Sequence, residues 1–488
     1  MTLRSLVPSS RSVFFLALAW FLLTALPLSA ASSSVALASS DLAARALATP
    51  TGEELSITGV ALDGRSTALA LERFDVWSDD ARIVVHGPDG DTVTAPPRDR
   101  AYLRGAVANA PRSRAMLSIA ADGTVRGLIA DSGSWWLVGA GDGAPSALRV
   151  DEDTLEAGRR EFTCGADALR ASPAGQRQEA LLELEALLGS PALESIQGGQ
   201  SYTARVAVET DNAFLSRFGG STSGATDYVA DLFAFVSTLY DSEVNTDVQV
   251  SDLSLWTSTD PWQQTNPTCG LFEFGEYWNQ NNTDVDRTIA HFLSGNNSGG
   301  GVAWVGVLCN GAFTQNIGNS CPGMPASGQY GGDYGYSGGI TGSFNPGNPT
   351  LVWDAVVVAH EIGHNFNSPH THCYANLGGN SAPVDQCYNG QCGQTGCWCG
   401  AQSLPCTGQS GCGTLMSYCH LLGGGLSNMA PSFGTGHPWG VAPQRVPDRM
   451  AAHVASRAGS NPGCLDRIAI NEIFTDGFES GNTSAWSE

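Results

Sequence analysis

The stretch HEIGHNFNSPH, at residues 360–370, contains three histidines and a glutamate. An apolar run, LVWDAVVVA, leads into it and predicts that the stretch begins on a helix. On a helix, His360 and His364 are one turn apart, so both imidazoles project from the same face and can bind one metal ion. Glu361 lies beside them, angled so that its carboxylate reaches a water molecule at the metal and not the metal itself.

A third metal ligand is predicted at His370. Because His370 is six residues beyond His364, it leaves the helix face, and the chain must turn sharply near Asn367 to bring it back. Asparagine is the commonest substitute for glycine at such a turn, which requires positive φ. Three histidines and one open position are typical of catalytic zinc, which polarises a water molecule and a substrate carbonyl. We therefore predict one catalytic Zn²⁺ on His360, His364 and His370, with Glu361 as general base.

This pattern resembles the metzincin clan of zinc endopeptidases, whose motif is H-E-x-x-H-x-x-G-x-x-H, with Asn367 in place of the glycine. The clan also has a methionine turn beneath the metal, and GTLMSYCH, centred on Met416, fits that turn. HEIGHNF and the preceding GGGVAWVGVLC are most similar to the reprolysin (adamalysin-like) group. The resemblance covers residues 202 to about 460, although Thr371 stands where reprolysins usually carry aspartate.

The predicted fold class is α/β. From residue 202 the sequence pattern reads strand, helix, strands, helix, which indicates a mixed sheet. The resemblance implies a metzincin-type catalytic domain: a mixed twisted sheet, a zinc-binding active-site helix and a disulfide-rich C-terminal subdomain, preceded by a mainly β prodomain. An extended protein or peptide substrate is expected to dock on an edge strand that contains Gly301, Val302, Ala303 and Trp304.

Three further polar side chains lie close to the motif in sequence. In astacins and serralysins, a tyrosine at the offset of Tyr418 from Met416 ligates zinc and then stabilises the transition state. Tyr418 is therefore a candidate fifth ligand or oxyanion stabiliser, and the alternative is a packed tyrosine with a satisfied hydroxyl. His372 and His420 do not fit the ligand spacing, and we place them behind the ligands or at the surface.

The N-terminus has the pattern of a secretory signal peptide. Arg4 and Arg11 precede the apolar run VFFLALAWFLLTALPL and small residues follow it, which predicts a signal peptide over residues 1–31. The run is shorter than a membrane-spanning helix requires.

The formal net charge of −23 argues against a nucleic-acid partner. The signal peptide predicts a secreted, extracellular protein without a membrane partner. The tail segment DGFESGNTSAW resembles the C-termini of exported bacterial proteins, which suggests a bacterial source, and the oligomeric state is left open, with a monomer as the default.

The 13 cysteines agree with export. Twelve follow residue 260, an even number that suits disulfides, while a second structural zinc site among those at 387–464 is the alternative. Cys164 is left over, alone in its half of the chain. A thiolate is a strong zinc ligand, and we predict that Cys164 occupies the open position on the zinc in the precursor, as a cysteine switch. A surface thiol or an intermolecular disulfide is the alternative.

Changes in composition divide the chain into four regions. Residues 32–195 form a prodomain of short β-like runs that ends in the charged helical stretch QRQEALLELEALL. The linker GSPALESIQGGQ leads into the peptidase domain at 196–464, and a short tail occupies 465–488. We expect the precursor to be cut between about residues 170 and 200, where the linker is suited to proteolysis.

Two other functions use the same features. A catalytically silent binding protein on this fold is disfavoured because Glu361 is intact. A zinc hydrolase that acts on glycans or esters is disfavoured, because an open edge strand suits an extended peptide substrate. The sequence thus favours a zinc endopeptidase that is made as a latent precursor, and it leaves structural Ca²⁺ open.

Overall fold

A computed structural model describes residues 37–140, 144–150, 163–166, 169, 201–296, 300–342 and 351–468. The predicted signal peptide, the QRQEALLELEALL stretch, the linker with the expected cut, and the tail beyond residue 468 lie outside these residues. The predicted domain boundaries therefore stay predictions. Within the described part of the chain, no helix combines the length and apolarity needed to span a membrane.

The N-terminal region forms an antiparallel sheet, in agreement with the mainly β prediction. Its seven strands are ordered β1-β2-β5-β6-β7-β8-β9, and a short helix, α1 (Leu42–Ala48), precedes them. The strands are β1 (Glu54–Leu62), β2 (Arg65–Phe74), β5 (Arg100–Val107), β6 (Arg114–Ala120), β7 (Val125–Asp131), β8 (Ser134–Gly139) and β9 (Ser146–Arg149). Apolar side chains alternate along β1 and β2, as expected for a sheet with one solvent face.

The second sheet is mixed, as predicted, and runs in the order β10-β14-β17-β13-β11-β12-β3-β4. Its strands are β3 (Trp77–Gly87), β4 (Gly90–Thr94), β10 (Thr163–Cys164), β11 (Ser201–Thr210), β12 (Thr246–Trp256), β13 (Ile289–Leu293), β14 (Gly300–Ala303), β17 (Tyr334–Ser337) and β18 (Leu465–Ile468), which pairs with β11. The N-terminal half of the chain thus contributes to both ends of this sheet, with β3 and β4 at one end and β10 at the other. A separate hairpin consists of β15 (Phe313–Asn316) and β16 (Ser327–Gly331).

Five α-helices follow residue 200 in the described part of the chain: α2 (Asn212–Ser216), α3 (Thr222–Val244), α4 (Pro267–Asn281), α5 (Leu351–Asn365) and α6 (Arg445–Ser460). Helix α3 packs against β12 on one side and against the N-terminal sheet on the other. The sequence pattern did not predict α4, although its start carries a typical signal. The Asn266 side chain accepts hydrogen bonds from the first turn, and Pro267 occupies the first position.

Six disulfides pair the twelve cysteines that follow residue 260: Cys269–Cys321, Cys309–Cys464, Cys373–Cys397, Cys387–Cys419, Cys392–Cys399 and Cys406–Cys412. Since all twelve are paired, none of these thiols remains to bind a second zinc ion. Four of the six follow α5, so the predicted disulfide-rich C-terminal region is confirmed. Such density is typical of extracellular proteins.

Candidate metal centre

Helix α5 positions His360 and His364, and every residue of this helix is buried. Nδ1 of His360 lies 2.7 Å from the carbonyl oxygen of Leu415, and Nδ1 of His364 lies 2.7 Å from that of Ser368. A carbonyl oxygen only accepts, so Nδ1 of each ring carries the proton and Nε2 keeps its lone pair. These backbone contacts select the tautomer in which Nε2 can bind a metal.

The chain leaves α5 through a turn at Asn367, which has φ of 76°, the left-handed region expected from the sequence. The backbone N–H of Asn367 donates to the carbonyl oxygen of His364 at 2.9 Å, and this bond closes the helix end. Beyond the turn, Nε2 of His370 lies 3.1 Å from Nε2 of His360. The structure therefore brings the third predicted ligand to the first two.

Arg449 of α6 holds this turn, and it was not among the residues predicted from the sequence. Its Nε donates to the backbone oxygen of Asn367 at 2.7 Å, and its Nη2 donates to Oδ1 of Asn367 at 3.0 Å. Glycine at this position would offer only the first acceptor. The asparagine that departs from the clan motif thus contributes an additional hydrogen bond to the turn.

We expect Asn367→Gly to retain zinc and Asn367→Val to lose it. Glycine keeps the positive φ and forfeits one hydrogen bond, whereas a β-branched side chain opposes positive φ at a cost of about 1–3 kcal/mol. The measurement is the zinc content per chain after dialysis against a weak chelator, with the wild-type protein as reference. Equal zinc in both variants would show that the conformation of this turn does not govern the third ligand.

Two glycines allow close packing around Glu361 and Met416. A Cβ atom on Gly301 of β14 would lie 2.5 Å from Oε1 of Glu361, so a larger residue would push strand β14 away from the carboxylate. A Cβ atom on Gly363 would clash with the sulfur of Met416, which lies directly beneath α5. Met416 therefore packs against the helix that carries the histidines.

Burial lowers the pKa of His360 well below its usual range, and the neighbouring His364 and His370 lower it further. A neutral imidazole is the form that binds metal.

Cys164 lies in the same centre. Strand β10 pairs in parallel with β14, so that Cys164 is the partner of Gly301. The thiol is buried and lies 3.1 Å from Oε2 of Glu361. The Cys164 sulfur and one ligand atom from each of the three predicted histidines lie within 4.8 Å of one another. Three imidazoles and a thiol are a donor set that suits four-coordinate zinc, so these residues fit the ion.

Tyr418 binds the backbone of Cys164. Its hydroxyl accepts from the Cys164 N–H at 2.8 Å and donates to the Cys164 carbonyl oxygen at 3.2 Å. Its ring lies 4.4 Å from the ring of His370, centroid to centroid. The sequence left two roles open for this tyrosine: a fifth ligand or oxyanion stabiliser, or a packed side chain with a satisfied hydroxyl. Its contact with Cys164 was not predicted.

His372 and His420 are buried, so both lie behind the ligands and not at the surface. The ring of His372 stacks on that of His370, with centroids 5.4 Å apart. Tyr388, which the sequence did not single out, packs edge-on against Tyr418 at 4.7 Å. These rings enclose the side of the centre that faces the disulfide-rich region.

The predicted docking strand is β14, which is shorter than expected. Gly301, Val302 and Ala303 lie within it, and Trp304 follows its last residue. One edge of β14 pairs with β17, and the other pairs with β10. Gly165 N–H donates to the carbonyl oxygen of Gly301 at 2.8 Å. The segment around Cys164 therefore occupies the edge on which a substrate was expected to dock.

Comparison with known proteins identifies the family of the domain that contains these residues. Residues 200–427 match the model Reprolysin_5, described as metallo-peptidase family M12. No curated protein matches the sequence. Among solved structures, metalloproteinase-II from Bacteroides fragilis is 11% identical, with 68% of this chain and 86% of that chain covered and a TM-score of 0.30. A chaperone–substrate complex is 16% identical over 36% of this chain and 25% of that chain, with a TM-score of 0.24.

Structural similarities this distant carry no argument, whereas the family match covers helix α5, the three histidines and Met416. The chain therefore contains a reprolysin-like domain of metallopeptidase family M12, a family of zinc metalloendopeptidases.

Proposed function

We propose that this protein is a secreted endopeptidase that hydrolyses peptide bonds in proteins, with one zinc ion on His360, His364 and His370. The observation that carries the proposal is the convergence of these three imidazoles beside the Glu361 carboxylate and strand β14. The tautomers selected by Leu415 and Ser368 support the ligand assignment, because both rings keep Nε2 available.

Zinc bound there would polarise a water molecule and the scissile carbonyl. Glu361 acts as general base: its carboxylate accepts the proton of the water and then delivers it to the leaving amine. Oε2 of Glu361 already faces the position that the Cys164 sulfur occupies, so it is directed at the open side of the metal centre. With the Cys164 segment in place, the residues around Glu361 are buried.

Tyr418 is proposed to stabilise the oxyanion. Its hydroxyl now donates to the carbonyl oxygen of Cys164, which stands where a peptide carbonyl would lie. Once that segment leaves, the same hydroxyl can donate to the carbonyl oxygen of the substrate as negative charge develops on it. An extended substrate would replace β10 along β14 and take over the hydrogen bond with Gly301.

The precursor is proposed to be latent because the Cys164 thiol takes the open position on the zinc. The buried sulfur, its distance to Glu361 and the pairing of β10 with β14 support this role over that of a surface thiol. A cut between about residues 170 and 200 would release one end of this segment. Export is supported by the pattern of the first 31 residues and by the six disulfides.

Incubation of the processed protein with casein, with and without a chelator, tests the proposed function. We expect hydrolysis that the chelator abolishes and that added Zn²⁺ restores, since three histidine ligands hold the ion. A folded, zinc-loaded protein that leaves casein intact would contradict the proposal. Cleavage of a glycan or ester by that protein would then identify the alternative hydrolase, and binding without turnover would identify the silent binding protein.

A further inference from the structure

We propose that the described residues between 37 and 150, here called the N-terminal module, stay bound to the peptidase domain after the chain is cut. The active enzyme is then a complex of two fragments, and only the segment around Cys164 leaves the metal centre. This inference rests on the processing proposed above, but its test does not require that processing to occur naturally.

Backbone pairing joins the module to the peptidase domain. Strand β3 leaves the N-terminal sheet and runs parallel to β12. Val250 N–H donates to the carbonyl oxygen of Val76 at 2.8 Å, and Thr257 N–H donates to that of His86 at 3.0 Å. Without the module, β12 would become an open edge strand, which is prone to pair with other chains.

The two parts also share one hydrophobic core. Trp77, Met116 and Trp135 of the module belong to the same buried cluster as the apolar side chains of α3. The ring centroid of Trp135 lies 6.1 Å from that of Phe235. A prodomain that dissociates easily would instead meet its partner across a polar surface. Loss of the module would expose the face of α3 that packs on the N-terminal sheet.

Ion pairs cross the same interface. Arg114 lies 3.0 Å from Glu243, and both side chains are buried. Arg126 lies 3.2 Å from Asp231, whose side chain is fully buried. Departure of the module would remove the arginine partners of these carboxylates, and a buried charge without its partner is strongly destabilising. These pairs therefore favour retention.

The segment that covers the metal centre is held more weakly. Among its described residues, two pair with β14 in the sheet, Thr163 with Gly300 and Cys164 with Gly301. In the intact chain it is anchored on both sides, at Val150 of the module and at Ser201 of β11. A cut between them leaves one anchor and lowers the effective concentration of the thiol at the metal. Release of this segment is thus separable from release of the module.

The test uses the full-length chain with a recognition sequence for a sequence-specific protease inserted between residues 185 and 195. After complete cleavage, we expect both fragments to elute together in size-exclusion chromatography, at low salt and at about 0.5 M NaCl, because the apolar core is insensitive to screening. Separate elution of the two fragments would overturn the proposal. Because the readout is association and not activity, failure here is distinguishable from failure of the proposed peptidase function.

Substitutions locate the interface. Arg114→Ala is expected to speed dissociation of the cut complex at least about tenfold, because Glu243 loses its partner. Should that variant not fold, Arg100→Ala, which removes the pair with the partly exposed Asp227 at 3.1 Å, gives a smaller increase in the same direction. The matched control is Arg149→Ala, whose partner Asp63 lies within the module at 2.9 Å. If Arg149→Ala speeds dissociation of the cut complex as much as Arg114→Ala does, the ion pairs between the module and the peptidase domain do not hold the fragments together.

Discussion

Replacing Glu361 with glutamine is expected to lower kcat/KM for a peptide substrate by about 10²–10⁴-fold while zinc stays bound. Glutamine has nearly the same shape and fits against Gly301, but its amide cannot accept a proton from water. The carboxylate lies beside the ligands and faces the open side of the metal centre, where the attacking water would bind. The measurements are kcat/KM of the processed enzyme and its zinc content per chain.

Glu276→Gln, on helix α4 of the same domain, is the matched control, and its kcat/KM should equal that of the wild type. Loss of zinc from the Glu361→Gln variant would show that Glu361 is a metal ligand. Retained activity with retained zinc would assign proton transfer to another group. Either result would contradict the role proposed for Glu361.

Replacing Cys164 with alanine is expected to make the uncleaved precursor active. Wild-type precursor should be at least about 10²-fold less active than the variant, because tethering gives the thiol a high effective concentration at the metal. Alanine removes the sulfur, so that the described part of the segment keeps its backbone contacts with Tyr418 and Gly301, which an extended substrate can displace. The measurement is peptide cleavage by the two precursors, each verified by mass spectrometry to be intact.

The processed forms of the two proteins serve as the control, and they should have equal activity, since Cys164 takes no part in hydrolysis. An alanine precursor as latent as the wild type would mean that β10 inhibits by covering β14. In that case the sulfur would contribute nothing to latency.

The histidines, Glu361 and Cys164 could be singled out from the sequence because their chemistry is carried by residue type and local spacing. Strands of the N-terminal sheet could be predicted for a similar reason, since a run such as SWWLVGA is rich in residues of high β propensity. The run ARIVVHG was also predicted as a strand, but nothing in it reveals that β3, which pairs with its sequence neighbour β4, also joins β12 and not the N-terminal sheet. Strand partners depend on tertiary packing, which local patterns do not record.

The supporting contacts were missed for the same physical reason. Arg449 and Asn367 are 82 residues apart, and Tyr418 and Cys164 are 254 apart. No periodicity links such positions. Helix α4 differs, because Asn266 and Pro267 do mark its start in the sequence. The helix lies between two apolar runs that were predicted as strands, and this start signal was not used.

X-ray absorption at the zinc edge of the uncleaved, zinc-loaded precursor is the most direct measurement of whether His360, His364, His370 and Cys164 bind one ion. We expect nitrogen neighbours at about 2.0–2.1 Å and one sulfur at about 2.3 Å. The Cys164→Ala precursor should retain the nitrogen shell and show no sulfur. A wild-type precursor whose zinc has only nitrogen and oxygen neighbours would contradict a metal centre closed by Cys164.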